Sequence, residues 1–143
     1  MTRPGRRAES VLVVVYTRTG LALVLERVKP AGFWQSVTGT LHSEELPSAA
    51  ARRELLEETG IDARPTAAGV MRTFEILPEL RDRYPPSVST NLEHEFRVEL
   101  ADRCPVKLSE REHTRLEWLP LGEAAERVFS WTNRAALRDI LHA

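Results

Sequence analysis

Three glutamates of a predicted helix place the strongest constraint on what this chain can fold into. Glu54, Glu57 and Glu58 lie within five consecutive residues, and their i, i+3 and i+4 spacing puts them on one helix face. Like charges at this spacing destabilise a helix by roughly 0.2–0.5 kcal/mol per pair. The negative end of the helix macrodipole adds to the penalty for the last two. A hard divalent cation, which prefers oxygen ligands, would offset this repulsion.

The helix is predicted from its ends. Pro47 suits a first helical turn, good helix formers follow it, and Gly60 suits the left-handed position after the last turn. We therefore expect a helix over Pro47–Thr59. Arg53 can pair with Glu57 four residues on, but one cation cannot neutralise three carboxylates. A solvated acidic face without a function stays open on this stretch alone, because 29% of the residues are charged.

Composition restricts the class of protein. We expect one globular domain over residues 1–143 with its own core, because 42% of the residues are apolar. A net charge of −1 gives no reason for attraction to a nucleic acid polymer or a membrane. No apolar run approaches the roughly 20 residues of a membrane span. The single cysteine, Cys104, allows no internal disulfide, which fits a cytoplasmic protein. The basic start of the chain is followed only by a short strand-like run without a small-residue cleavage site, so we expect no signal peptide.

Apolar patterns predict strands on both sides of this helix. The first two form a hairpin around the turn at residues 17–20. The predicted strands are 10–16, 21–26, 34–38, 67–76, 95–100 and 115–119, the last two helices are 121–128 and 132–142, and residues 77–91 form a loop. Strand 95–100 should be half exposed, and the final helix should bury Ala136, Leu137, Ile140 and Leu141. The order predicts a mixed α/β sandwich.

The residues around the acidic helix fill a spaced pattern, G-x5-E-x7-R-E-U-x-E-E-x-G-U, in which U is apolar. Its fixed positions are Gly39, Glu45, Arg53, Glu54, Leu55, Glu57, Glu58, Gly60 and Ile61. A chance match is on the order of one in a million. The pattern is the Nudix box, and the chain resembles the Nudix hydrolases. The resemblance implies an α/β/α sandwich with a mixed sheet, and cleavage of a diphosphate bridge with Mg²⁺ or Mn²⁺ held by the box glutamates.

The sequence resembles one Nudix subfamily outside the box as well. FWQSVTG at 33–39, RYPPSVSTNLEHEF at 83–96, EHTRLEWL at 112–119 and SWTNR at 130–134 recur in this order in the dihydroneopterin triphosphate diphosphatases. The resemblance implies removal of pyrophosphate from 7,8-dihydroneopterin 3′-triphosphate in folate biosynthesis, and so a small-molecule triphosphate as partner. The same resemblance gives no oligomeric state.

The resemblance also implies roles for individual residues. Metal ligands would be Glu54, Glu58 and Glu112, with Glu57 as a further ligand and the Gly39 carbonyl close to the metal. The catalytic residues would be Arg53, Glu54, Glu58 and Glu112. Within this set, Arg53 would orient a box glutamate. Substrate contacts would come from Arg27, Thr38, Phe74, Glu75, Ile76, Leu77, Ser130 and either Arg6 or Arg7. An arginine suits this role because its planar fork grips phosphate oxygens in pairs.

Each assignment outside the box has a structural alternative. Arg27 could be a solvated strand end, Ser130 could cap the last helix, and Glu112 could pair with Arg115. Trp34 and Trp131 are expected to be structural, because tryptophans lie more often in cores than in stacking platforms. His42, His94, His113 and His142 show no zinc spacing.

Three functions remain open at this point. They are the pterin triphosphate diphosphatase, a house-cleaning enzyme for ordinary or oxidised nucleoside triphosphates, and a sensor that binds a nucleotide without cleaving it. The complete set of box glutamates disfavours the sensor. One departure concerns the turn before the helix, where the subfamily commonly has Glu-Glu-Gly and this chain has His42, Ser43 and Glu44. The missing glycine suggests a different turn there.

Overall fold

The computed structural model describes residues 7–143. Its strands are β1 (Glu9–Thr17), β2 (Leu21–Arg27), β3 (Trp34–Gln35), β4 (Val37–Thr40), β5 (Thr66–Glu75), β6 (Thr90–Leu100) and β7 (His113–Pro120). Its α-helices are α1 (Pro47–Thr59), α2 (Leu121–Arg127) and α3 (Trp131–Leu141), and a 3₁₀ helix spans Pro78–Arg83. No helix among these residues is long and apolar enough to cross a membrane.

The seven strands form one mixed sheet in the order β3-β2-β1-β6-β5, with β4 also paired to β1 and β7 to β2. The pairing of β1 with β6 is parallel, and the other pairings are antiparallel. The central strand, β1, therefore pairs with β6 along one edge and with β2 and β4 along the other. This arrangement confirms the mixed α/β sandwich expected from the sequence.

Alternate residues of β1 build two cores, one on each face of the sheet. Val11, Val13 and Val15 pack with Leu55 of α1 on one face. Leu12 and Val14 pack with residues of α2 and α3 on the other. Because strand side chains alternate between faces, a continuous β-branched run serves a strand that is covered on both sides.

Three details differ from the sequence-based expectations. The strand predicted at 34–38 is two strands, because the Ser36 amide donates to Asn133 Oδ1 at 2.8 Å instead of to a neighbouring strand. Strand β6 begins at Thr90 rather than at residue 95. Its end alternates as predicted, with Phe96 and Val98 buried and Glu99 exposed, but Glu93 and Glu95 are buried as well. Leu141 is exposed, because it lies in the last turn of α3, where the helix leaves the sheet.

The helix over Pro47–Thr59 is confirmed, with Gly60 in the left-handed conformation at φ 75°. The turn before it holds Glu44 at φ 65°, a left-handed conformation that glycine adopts without strain and most other residues avoid. The chain therefore makes a glycine-type turn at this point without a glycine.

Candidate active site

The acidic face of α1 lies against β4, where the absence of a side chain at residue 39 makes room for a carboxylate. A Cβ atom on Gly39 would overlap the Cδ, Oε2 and Cγ atoms of Glu54. Glu54 is itself buried. Gly39 is therefore needed because it lets helix and strand approach closely, whereas Gly60 is the box glycine with a left-handed backbone angle.

Glu58 is the most deeply buried of the box glutamates, with 0% of its surface exposed. Neither of its carboxylate oxygens has a hydrogen-bond partner. Burial raises its pKa well above the usual value, and the neighbouring charges of Glu54 and Glu112 raise it further. A buried carboxylate without partners is expensive for a fold, so this position calls for a cation or a proton.

Glu112, directly before β7, and His113, its first residue, lie beside Glu58. Glu54, Glu58 and Glu112 together form the acidic group of the site. Oxygen or nitrogen atoms of Glu58, Glu112 and His113 all lie within 4.8 Å of one another, and His113 Nε2 is 3.7 Å from Glu58 Oε1. Burial, together with the charge of Arg27, lowers the pKa of His113 to about 4, so this imidazole is neutral at pH 7. Arg115 pairs with Glu26 at 2.8 Å, which leaves Glu112 facing the cleft.

Arg53 holds the carboxylates of the box in place. Its Nε and one terminal nitrogen donate to the two oxygens of Glu45 at 2.9 and 2.8 Å. The other terminal nitrogen donates to Glu54 at 2.6 Å and to Glu57 at 3.3 Å. Such a two-pronged ion pair restricts orientation as well as adding energy. Arg53 does not line the cleft.

The structure separates Glu57 from the other box glutamates. Its side chain is 54% exposed and pairs with Arg53, as expected from their spacing. It does not line the cleft that Glu54 and Glu58 border. The third glutamate of the helix face therefore lies at the rim of the acidic group rather than in it.

One cleft of about 1100 Å³ joins the acidic group to the rest of the predicted site. Arg7 and Arg27 line it. Arg7 donates to the carbonyl oxygens of His42 and Glu45, and Arg27 donates to the Lys29 carbonyl and to Gln35. Arg6, the other candidate near the start of the chain, lies outside the described residues.

The remaining predicted substrate residues all line the same cleft. They are Thr38, Phe74, Glu75, Ile76, Leu77 and Ser130. Thr38 donates its hydroxyl to the Val11 carbonyl at 2.9 Å. Ser130 also caps α3, because its hydroxyl accepts from the Asn133 backbone amide at 3.4 Å. It therefore serves as the helix cap and lines the cleft as well.

The two tryptophans behave differently from one another. Trp34 is 6% exposed and lies beneath the guanidinium groups of Arg115 and Arg127, so its structural role is confirmed. The expectation that Trp131 is structural is wrong: it is 56% exposed and lines the cleft. It is the first residue of α3.

Glu93 on β6 lines the cleft as well, although it is not among the residues predicted to contact the substrate. Only 5% of its surface is exposed, and its Oε1 atom has no hydrogen-bond partner. Burial raises its pKa to about 7, a rise that the neighbouring Thr132 hydroxyl and Arg72 guanidinium oppose. His113 is also outside the predicted site, because its spacing from the other histidines matches no zinc motif.

The acidic group fits a divalent cation on its own chemistry. It offers hard oxygen ligands, two of them buried and without partners on Glu58, beside a strand position left open by a glycine. Arg53 pairs with Glu54, which orients the carboxylate of that residue.

Comparisons with known proteins agree with this geometry. Residues 6–140 match the sequence model of the NUDIX domain. The dihydroneopterin triphosphate diphosphatase of Haemophilus influenzae is 37% identical over 139 residues, which are 93% of this chain and 87% of that protein. The protein of the same name from Escherichia coli strain K12 is 37% identical over 142 residues, which are 95% and 93% of the two chains.

A solved structure extends the similarity to three dimensions. The Escherichia coli dihydroneopterin triphosphate pyrophosphohydrolase superposes with a TM-score of 0.92 at 34% identity, covering 99% of this chain and 100% of that chain. The NUDIX match over residues 6–140 includes α1, all strands of the sheet and Glu112. This chain therefore belongs to the Nudix hydrolase family.

Proposed function

We propose that this protein hydrolyses 7,8-dihydroneopterin 3′-triphosphate to the monophosphate and pyrophosphate, as a step of folate biosynthesis in the cytoplasm. The observation that carries the proposal is that one cleft is lined both by Glu54, Glu58 and Glu112 and by Phe74, Glu93 and Trp131. A triphosphate and a flat bicyclic ring can therefore occupy one continuous site. The names of the relatives at 37% identity support the choice of substrate.

In this proposal, Glu54, Glu58 and Glu112 would hold Mg²⁺, and the Gly39 carbonyl would lie near it. When bound, the cation offsets the charge of the diphosphate and can lower the pKa of a water. Arg53 is fixed by its paired hydrogen bonds to Glu45 and orients Glu54 through a further one. The exposed Glu57 is the least suited of the box glutamates to a first metal, although it remains close enough to Arg53 to influence Glu54.

The phosphates would be gripped by Arg7 and Arg27, both of which line the cleft. Their backbone and side-chain acceptors hold them in place, so little ordering is needed when a ligand arrives. Neutral His113 beside Glu58 brings no positive charge into the acidic group. It therefore leaves the cation as the main counter-charge there.

The other part of the cleft would hold the pterin ring. Phe74 to Leu77 and Ser130 line the cleft together with the exposed Trp131, and Thr38 lines it next to Glu58. Apolar walls with a few fixed polar groups are typical of small-molecule pockets. An aromatic side chain at the cleft surface offers a stacking face to a flat ring.

Product analysis tests this reaction directly. Phosphorus NMR of a reaction with dihydroneopterin triphosphate and Mg²⁺ should show pyrophosphate and a monophosphate as the first products. Orthophosphate and a diphosphate as first products would exclude this cleavage. Binding without any hydrolysis would favour the nucleotide sensor.

A further inference from the structure

Glu93 occupies a position in the sheet that packing alone does not explain. On β6 it pairs in register with Ser10 of β1 and with Arg72 of β5. It is therefore in the interior of the sheet, and it is 5% exposed. Carboxylates are rarely buried unless they are paired. A buried glutamate at this place is therefore expected to have a hydrogen-bonding partner or a role in binding.

The charged groups around Glu93 do not supply that partner. Arg72 donates to Glu95 at 2.6 Å and to Asp139 of α3 at 3.0 Å, and both of its ion pairs are made with these two residues. The Oε1 atom of Glu93 accepts no hydrogen bond. An acceptor of this kind is costly to leave unpaired.

The orphaned carboxylate borders the cleft rather than a closed void. Glu93 lines it together with Asn91 of the same strand and Phe74 of β5, and these two pair in register. Asn91 donates its amide to Ser10 Oγ at 2.7 Å. Glu93 does not belong to the group formed by Glu58, Glu112 and His113, so a metal at that group would not satisfy it.

We propose that Glu93 determines ring specificity by accepting hydrogen bonds from the ring N–H and the exocyclic amino group of the pterin. The inference rests on the proposed function for the identity of the ring. These two groups form a donor–donor edge, and an ionised carboxylate is acceptor-only with two oxygens. Guanine has the same edge, whereas adenine presents one donor and one acceptor and therefore leaves one oxygen of Glu93 unpaired.

The variant Glu93→Gln tests the pairing because it keeps the shape and replaces one acceptor with a donor. The matched control is Glu99→Gln, an exposed glutamate of the same strand that lies outside the cleft. Steady-state kcat/KM is measured for dihydroneopterin triphosphate, dGTP, dITP and dATP with Mg²⁺. Thermal melting of each variant checks that it is folded.

We expect Glu93→Gln to lower kcat/KM for the pterin triphosphate and dGTP by about tenfold or more, as for loss of one buried hydrogen bond. The ratio of pterin triphosphate to dATP should fall by more than this, because a glutamine can pair with the adenine edge. In wild type dGTP should exceed dITP, which lacks the exocyclic amino group, and that preference should disappear in the variant. Glu99→Gln should match wild type on all four substrates.

Two outcomes would overturn the role of Glu93. One is an equal loss on all four substrates in a folded variant, which would indicate a structural role only. The other is an unchanged dGTP-to-dITP ratio. Failure of the proposed function is a separate result: wild type would turn over the pterin triphosphate no better than nucleotides, while the dGTP-to-dITP comparison would still report on Glu93.

Fluorescence titration gives a readout that needs no turnover. With EDTA present, dihydroneopterin without phosphates should bind wild type more tightly than Glu93→Gln by about tenfold. Equal affinities of the two proteins for this ring would contradict the inference.

Discussion

Gly39 and Glu54 are fitted to each other across the contact of β4 with α1, because the Glu54 carboxylate fills the space that a side chain at residue 39 would need. Gly39→Ala should therefore displace Glu54 and weaken the acidic group. We expect activity to fall by about 100-fold, a few kcal/mol of transition-state stabilisation, and the Mg²⁺ concentration for half-maximal activity to rise. Activity measured across a Mg²⁺ titration checks both effects.

The matched control for this change is Gly122→Ala in α2. A Cβ atom there would meet only Leu141 Cδ2 at 3.9 Å, which is ordinary contact, and alanine favours a helix over glycine. It should be active and at least as stable as wild type. If Gly39→Ala showed the same Mg²⁺ dependence as Gly122→Ala, the fitted contact would have no functional role.

Glu58→Gln tests the buried carboxylate that the metal assignment depends on. The amide keeps the size and removes the charge, so hydrolysis in Mg²⁺ should fall by at least about 100-fold. The free energy of unfolding without metal should hold or increase, because an unpartnered buried carboxylate and its repulsion with Glu54 are removed. The exposed Glu126→Gln on α2 is the control, and near-normal turnover by Glu58→Gln would falsify the metal assignment.

The titration of Glu93 should be visible in stability. Its folded pKa of about 7 lies above the usual 4.5, so the folded state holds this proton more tightly and the free energy of unfolding falls as pH rises from about 4.5 to 7. Over that window, wild type should lose roughly 3 kcal/mol relative to Glu93→Gln. The charged groups near it, Arg72, Glu95 and Asp139, are common to both proteins.

Urea denaturation of both proteins without metal, at pH 4.5, 6 and 8, measures this difference. The gap between their free energies of unfolding should widen with pH and be constant above about pH 8. A gap that did not depend on pH would show that Glu93 does not titrate in this range.

Trp131 should act on binding of the ring rather than on the chemical step. It is exposed at the cleft, so Trp131→Ala should cost little stability and raise KM for the pterin triphosphate by about tenfold through lost stacking. Trp131→Phe should restore most of the affinity. Steady-state kinetics separate KM from kcat, and a change in kcat alone would argue against a stacking role.

The acidic helix could be predicted from sequence because its signals are local. Pro47 and Gly60 mark its ends, and the spacing of the glutamates within it decides which face they share. Glu112 could be assigned only through the resemblance, because it reaches Glu58 through the pairing of β7 with β2, which no local pattern specifies.

Glu93 and Trp131 were beyond local patterns for opposite reasons. Glu93 lies between the predicted loop at 77–91 and the strand predicted at 95–100, and it is buried because β6 pairs there with both β1 and β5. Trp131 is apolar, which predicts burial, yet it begins α3 at the cleft with no element above it. Both positions depend on tertiary contacts, and both lie in the site that the function needs.

The substrate preference tests the central claim most directly. The measurement is wild-type kcat/KM with Mg²⁺ for dihydroneopterin triphosphate, dATP, dGTP and an oxidised guanine nucleotide. The pterin should lead by about tenfold or more, which needs only about 1.4 kcal/mol of differential transition-state binding, with weaker but measurable turnover of the purine nucleotides. Because guanine shares the edge that Glu93 would bind, this advantage has to come from the open-chain linker. Equally efficient hydrolysis of any of the three nucleotides would contradict the proposal and favour a house-cleaning pyrophosphohydrolase.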